Sequence, residues 1–202
     1  MTHYRAARLQ DSTPRADSPA VRAGFAAGLV AGAAVLTAVA AQASVTLPGS
    51  PIPFTLQPVA VLLAGVVLGA RLGALSQALY LAAGVAGAAA FAWSPVLLPG
   101  AARLLGPTGG FLMAYPLAAG LVGFIASRSQ TRGVLRTAGA MLAGLVVLYV
   151  GGVSWARLVA PAASAAGLAA AFGPYVAFDL VKVALVAPFV APARRVLFGS
   201  RA

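Results

Sequence analysis

The stretch that decides the architecture is QPVAVLLAGVVLGARLGALSQALYLAAGVAGAAAFAW, residues 57–93, whose one charge, Arg71, lies inside GARLG at 69–73. A bilayer core is crossed by roughly 20 apolar residues in a helix. The stretch is therefore too long for one pass and slightly short for two. Reading GARLG as a tight turn gives a short span over 57–70 and a full one over 72–93. Outside it, four further apolar runs read as spans: 22–43, 107–127, 137–159 and 174–196. The expected fold is all-α, an integral membrane bundle of six transmembrane helices. Uniformly apolar runs of this length do not alternate as the strands of a membrane barrel do, and helices satisfy their own backbone in lipid.

The arginines test the count. Arg5, Arg8 and Arg15 precede the first span, Arg22 opens it, and Arg71 lies in the turn. Arg128, Arg132 and Arg136 lie between the fourth and fifth spans, and Arg194, Arg195 and Arg201 follow the sixth. With six spans all of these share one side, and only Arg103 and Arg157 fall on the other. Basic residues accumulate on the cytoplasmic side, so both termini are expected there, in the bacterial cytoplasmic (inner) membrane, as a multi-pass protein. An odd number of spans breaks this segregation.

Composition agrees. Of the 202 residues 61% are hydrophobic and 8% charged, and mean hydropathy is +0.94. A soluble domain carries about 25% charged residues, so this chain needs lipid as its solvent. The net charge of +11 does not imply nucleic acid, because the basic residues flank apolar runs and form no stripe with aromatics. No cysteine is present, and the one histidine, His3, lies in the polar tail. Thiol chemistry is excluded, no metal site or cofactor is expected, and acid–base catalysis has almost no parts to use. The tail, 1–20, is read as disordered and cytoplasmic, with one substrate-binding membrane domain over 21–202. The small residues of AVLTAVAAQAS (34–44) resemble a signal cleavage site, but the preceding apolar run is long for a signal peptide, and a retained helix is expected.

Two outer loops are unlike passive connectors. SVTLPGSPIPFTLQP (44–58) has four prolines and no charge, which makes it stiff. Alternation of Ile52, Phe54 and Leu56 with Thr55 and Gln57 suits a lid with an apolar underside. AWSPVLLPGAARLLGPTGGFL (92–112) carries Arg103 just before GPTGG, and Pro107 is placed to open the fourth helix. The lysine-free GPTGG is not a phosphate loop.

FDLVKVALVAPF (178–189) poses the functional question. Asp179 is one of three acidic residues in the chain, and Lys182 is its only lysine. At i and i+3 they share a helix face. Counted from a helix start at Pro174, they lie about 8 Å and about 12 Å inside. Each charge at such depth costs about 3 kcal/mol on insertion scales, which marks intramembrane ionisable residues as functional candidates. Asp179, Lys182 and Arg103 together carry one net positive charge, which suits a monoanion. A carboxylate beside an ammonium presents acceptor and donor together, matching a group with both N–H and C=O such as a cyclic urea.

PIPFTLQ (51–57), LGARLGALSQALYLAAGVAG (68–87), LLGPTGGFLMAYPLAAGLVG (104–123) and FDLVKVAL (178–185) together resemble the BioY family, the biotin-specific S component of energy-coupling factor (ECF) vitamin transporters. The resemblance covers about residues 45–190. It implies a six-helix bundle with one vitamin site near the outer face, covered by loops. It also implies that Asp179, Lys182 and Arg103 contact biotin, with Thr55, Gln57 and Trp93 as further candidates. The segment AAAFAWSPVLLPG (88–100) departs from the family, with Trp93 where a small residue is expected; that tryptophan either packs on the ligand or belongs to the membrane-interface belt.

The implied partners are biotin, membrane lipid, a transmembrane coupling protein and two ATPase subunits, since this chain has no nucleotide loop. The first helix repeats small residues every four positions (Gly24, Gly28, Gly32; Ala23, Ala27, Ala31), a pattern that permits close helix approach. Action without the ATPases, as a homo-oligomer or a proton-coupled carrier in which Asp179 titrates, is the alternative, as is an S component for another vitamin. Two ligand orientations stay open. Either Asp179 and Lys182 read the ureido group while Arg103 binds the valerate carboxylate, which donor–acceptor matching favours, or the ends are reversed.

Overall fold

The computed structural model describes residues 18–46, 53–94, 97–128 and 133–198. Nearly all of the expected tail, the centre of the expected lid (47–52), Arg132 and Arg201 lie outside the described residues. The chain is mostly helical: α1 (Pro19–Gln42), α2 (Gln57–Val85), a short α3 (Ala102–Leu105), α4 (Gly109–Ser127), α5 (Val134–Val159) and α6 (Ala165–Phe198). The all-α expectation needs one correction. Ser44–Thr46 (β1) and Pro53–Thr55 (β2) form a two-stranded antiparallel hairpin, pairing Ser44 with Thr55 and Val45 with Phe54. Prolines keep this segment out of helix, and Val45, Thr46, Phe54 and Thr55 suit an extended backbone.

Among the described residues, five helices are long and apolar enough to cross a membrane, against six spans read from the sequence. The difference lies in α2, which takes in the first of the two expected spans and most of the second but does not run straight. At Gly69 the backbone leaves helical geometry, with φ 81° and ψ 178°, a region open essentially to glycine alone. A Cβ on Gly73 would lie 3.0 Å from the Ala64 carbonyl oxygen and from the Gly65 Cα. Nine residues of straight helix would separate 64 from 73 by about 13 Å, so the chain has doubled back. The Gln57 side chain accordingly reaches Tyr80, 2.5 Å from Nε2 to the hydroxyl. On α4, a Cβ on Gly123 would run into the Gly69–Ala70 peptide, so the turn is seated against bare backbone.

Nothing lies within 4 Å of a Cβ built on Gly69. Gly69→Ala therefore tests backbone conformation alone, and an expected loss of about 1–3 kcal/mol should lower the midpoint of thermal unfolding in detergent. Gly28→Ala, inside α1 with equally open space, is the control. It should leave the midpoint unchanged or raise it, because alanine favours the helix.

Three boundaries also move. The helix after the turn ends at Val85 rather than 93. Gly87 takes φ 95°, and the Phe91 ring occupies the space a Cβ on Gly84 would need, so 86–94 folds back over the bundle. Pro107 does not open α4; Thr108 is the N-cap and Gly109 the first residue. Pro174 does not open the last helix, which starts at Ala165 and continues through the proline. The depths counted from Pro174 therefore carry no weight.

The core lies between α2, α4 and α5, around Val61, Leu62, Tyr80, Val122, Met141 and Leu148. Helix α1 opens with Ser18 as N-cap, its hydroxyl accepting from Val21 N at 3.2 Å, and Pro19 following. It buries Ala34, Thr37 and Ala41 near its far end, while Ala23, Gly24, Ala27 and Gly28 are exposed. From that far end, the Gln42 amide donates to the Ala89 and Phe91 carbonyls, each at 3.2 Å, and Leu56 N donates to Ala40 O at 3.3 Å. The hairpin and the 86–94 segment are thereby fixed over one end of the bundle.

Candidate functional site

Beneath that cover lies a partly enclosed cavity of about 740 Å³, a figure that includes the open space at its mouth. Asp179, Lys182, Arg103, Thr55 and Gln57 all line it. Trp93 does not; it is 68% exposed and stands off the cavity.

Asp179 and Lys182 are salt-bridged, 2.8 Å from Oδ1 to Nζ. Each has a second partner on another element. Tyr149 of α5 donates its hydroxyl to Asp179 Oδ2 at 2.8 Å. Lys182 Nζ donates to the Thr55 carbonyl at 2.7 Å and sits 3.7 Å from the centroid of the Phe54 ring, within cation–π range. The lone acid and lone amine are thus paired and hydrogen-bonded, as burial demands, with the cavity open beside them. The lysine also ties the hairpin to α6.

The polar ends of Thr55 and Gln57 face each other. The Thr55 hydroxyl accepts from Gln57 N at 3.3 Å and donates to Gln57 Oε1 at 3.2 Å, and the Gln57 amide donates to Tyr80. Both residues border the cavity with these groups already engaged, which suits shaping the wall better than reading a ligand.

Arg103 stands apart from the pair. Only 5% exposed, it donates from Nη2 to the Ala92 carbonyl, which the folded-back 86–94 segment presents. Its Nε is buried without a partner, and no carboxylate lies within ion-pair distance of it among the described residues. Burial lowers the pKa of its guanidinium from the ordinary value, an effect partly offset by Tyr80 nearby; arginine nonetheless keeps its proton. An anion placed beside such a buried cation would supply both the opposite charge and an acceptor for the N–H.

The remaining wall is aromatic. Phe111 of α4 meets Tyr149 edge-on, centroids 5.4 Å apart at 88°, and Phe172 at 5.3 Å. Phe54 meets Tyr175 at 6.2 Å. Reading the sequence for charges and loops found Phe54 but missed Phe111, Tyr149, Phe172 and Tyr175, although one signal was present. Phe172, Tyr175, Asp179 and Lys182 fall at i, i+3, i+7 and i+10, one face of a helix, and all four line the cavity. Among the described residues no metal-ligating cluster accompanies the site.

The model of the BioY family matches residues 17–198. A protein of Pyrococcus horikoshii described as a probable biotin transporter BioY is 39% identical over 161 residues, covering 77% of this chain and 88% of the relative. The biotin transporter BioY of Thermotoga maritima is 34% identical over 143 residues, 71% of this chain and 81% of the relative. Among solved structures, the S-component for biotin from an ECF-type ABC transporter shares the fold, with a TM-score of 0.75 at 21% identity over 86% of this chain and 93% of the other. The five apolar helices and the transporter relatives make this a membrane protein.

Proposed function

The chain belongs to the BioY family, and we propose that it binds biotin in this cavity as the biotin-specific S component of an ECF-type transporter. The observation that carries the reading is the charge arrangement. The cavity holds one compensated ion pair, Asp179–Lys182, and one uncompensated buried cation, Arg103. That is the complement of a neutral hydrogen-bonding head joined to a carboxylate. The names of the relatives point to the same vitamin. Asp179 accepts from the ureido N–H, Lys182 donates its remaining N–H to the ureido oxygen, the aromatic wall packs on the rings, and Arg103 takes the valerate carboxylate.

We read the two arms of α2 as separate passes, which gives six spans. The fold-back at Gly69 supports this. So does the arginine pattern: Arg22, Arg71, Arg128 and Arg136 then lie on the cytoplasmic side with both termini, and Arg103 and Arg157 outside. Biotin enters from the outer face of a bacterial cytoplasmic membrane, beneath the β1–β2 hairpin. ATP hydrolysis belongs to partner ATPases, coupled through a transmembrane protein. The exposed small-residue stripe of α1 suits contact with that coupling protein, since Cβ atoms at Gly24, Gly28 and Gly32 would meet nothing within 4 Å.

Titration calorimetry of the detergent-purified chain with biotin is the direct test. Saturable one-site binding, undisturbed by excess of other vitamins, is expected. Absence of saturable binding removes the proposal, and displacement of biotin by another vitamin reassigns the substrate.

A further inference from the structure

Tyr149 is part of no motif read from the sequence, yet from another helix it donates a hydrogen bond to the Asp179 carboxylate. Lys182 bonds the other oxygen, Oδ1, from the same helix as the carboxylate. An aspartate's terminal torsion is soft. With Lys182 alone, the carboxylate can swing about Oδ1 and carry its lone pairs away from the cavity. The Tyr149 hydroxyl, bonded to Oδ2 at 2.8 Å, supplies a second fixed point. The tyrosine is itself held, since Phe111 packs edge-on to its ring and the ring lines the cavity. An ionised carboxylate has about four acceptor positions. With one on each oxygen occupied, those left over are set in direction by two helices at once.

We propose that Tyr149 is a positioning residue of this site: it acts through Asp179, fixing the carboxylate so that its free lone pairs accept ligand N–H groups. This rests on the reading of Asp179 as the acceptor for the ureido head. A tyrosine that donates its only O–H to Asp179 has no proton left for the ligand, so what the hydroxyl gives as a donor passes through the aspartate.

The test measures biotin affinity for four forms of the full-length chain in detergent: wild type, Tyr149→Phe, Asp179→Asn and the double variant. Infrared spectra of the same samples identify the carboxylate band present in wild type and missing from Asp179→Asn. Tyr149→Phe should weaken biotin by about 10-fold, the scale of a hydrogen bond to a charged group. In the Asp179→Asn background the same change should cost less than about 2-fold, because the group it positions is gone. The Asp179 band should shift in Tyr149→Phe, reporting one bond fewer to the carboxylate. An equal loss in both backgrounds, wild-type affinity in Tyr149→Phe, or an unshifted band overturns the proposal. Should Asp179→Asn bind too weakly to titrate, the band decides. If Asp179→Asn binds biotin as wild type does, the ureido assignment itself fails, an outcome distinct from failure of Tyr149 alone.

Discussion

Replacing Arg103 with alanine should weaken biotin binding by about 100- to 1,000-fold while changing the affinity for biotinol, the alcohol analogue, by less than about 5-fold. The asymmetry follows from what the guanidinium lacks. It is 5% exposed, it gives one N–H to the Ala92 carbonyl, its Nε has no partner, and no acidic side chain neutralises it among the described residues. A ligand carboxylate supplies both the missing charge and the missing acceptors, and truncating one partner of a buried charge pair costs about 2–5 kcal/mol. Biotinol has no charge to offer, so wild type should bind it less tightly than biotin, and alanine has little more to remove. Arg103→Lys should fall between, since a lysine keeps the charge without the planar fork. Equal loss for both ligands, measured by calorimetry, removes the carboxylate from Arg103 and favours the reversed orientation.

Much of this site is legible in the sequence because charge is scarce there. Asp179, Lys182 and Arg103 stand out against apolar neighbours, and their meeting in one cavity needed no knowledge of helix ends. The turn at GARLG is legible for a similar reason, because a glycine and an arginine interrupt a run too long for one pass. Helix ends are less so. Ala and Gly fill both the helices and their connections, so nothing polar marks the exit at Val85. That end depends on the φ of Gly87 and on the Phe91 ring resting against Gly84, which are tertiary facts. Pro174 misleads because proline both starts helices and persists inside them when neighbours satisfy the freed carbonyl. Thr55 and Gln57 look like ligand contacts as single residues; their polar atoms bond each other locally, and the bond from Gln57 to Tyr80 depends on the doubling back at Gly69. The Tyr149–Asp179 bond joins positions 30 residues apart on different helices, and no local pattern encodes it.

The Asp179–Lys182 pair separates stability from binding. Lys182→Met should strand a carboxylate whose side chain is 6% exposed, with the Tyr149 hydroxyl still bonded to it. Asp179→Asn should strand the ammonium, though more gently, because the Thr55 carbonyl and the Phe54 ring remain. Breaking a buried pair from one side costs about 3–5 kcal/mol, whereas replacing both members with neutral groups of similar size is often neutral or stabilising. The two single variants should therefore unfold at lower temperature in detergent, Lys182→Met the lower of the two. The double variant Asp179→Asn/Lys182→Met should recover most of the wild-type midpoint yet bind biotin at least about 100-fold more weakly than wild type. A pair kept for the fold alone predicts the opposite combination: a double variant that stays unstable, or one that regains biotin binding along with stability. The hairpin supplies an independent readout. The chain has no cysteine, so a probe on Val45→Cys, at an exposed position of β1, reports on β1–β2 alone. Lys182 hydrogen-bonds β2 from α6, beside the packing of Phe54 on Tyr175 and Phe178, and both variants lacking the lysine should therefore loosen the probe. Asp179→Asn, which keeps the lysine on Thr55, should leave the probe as ordered as in wild type.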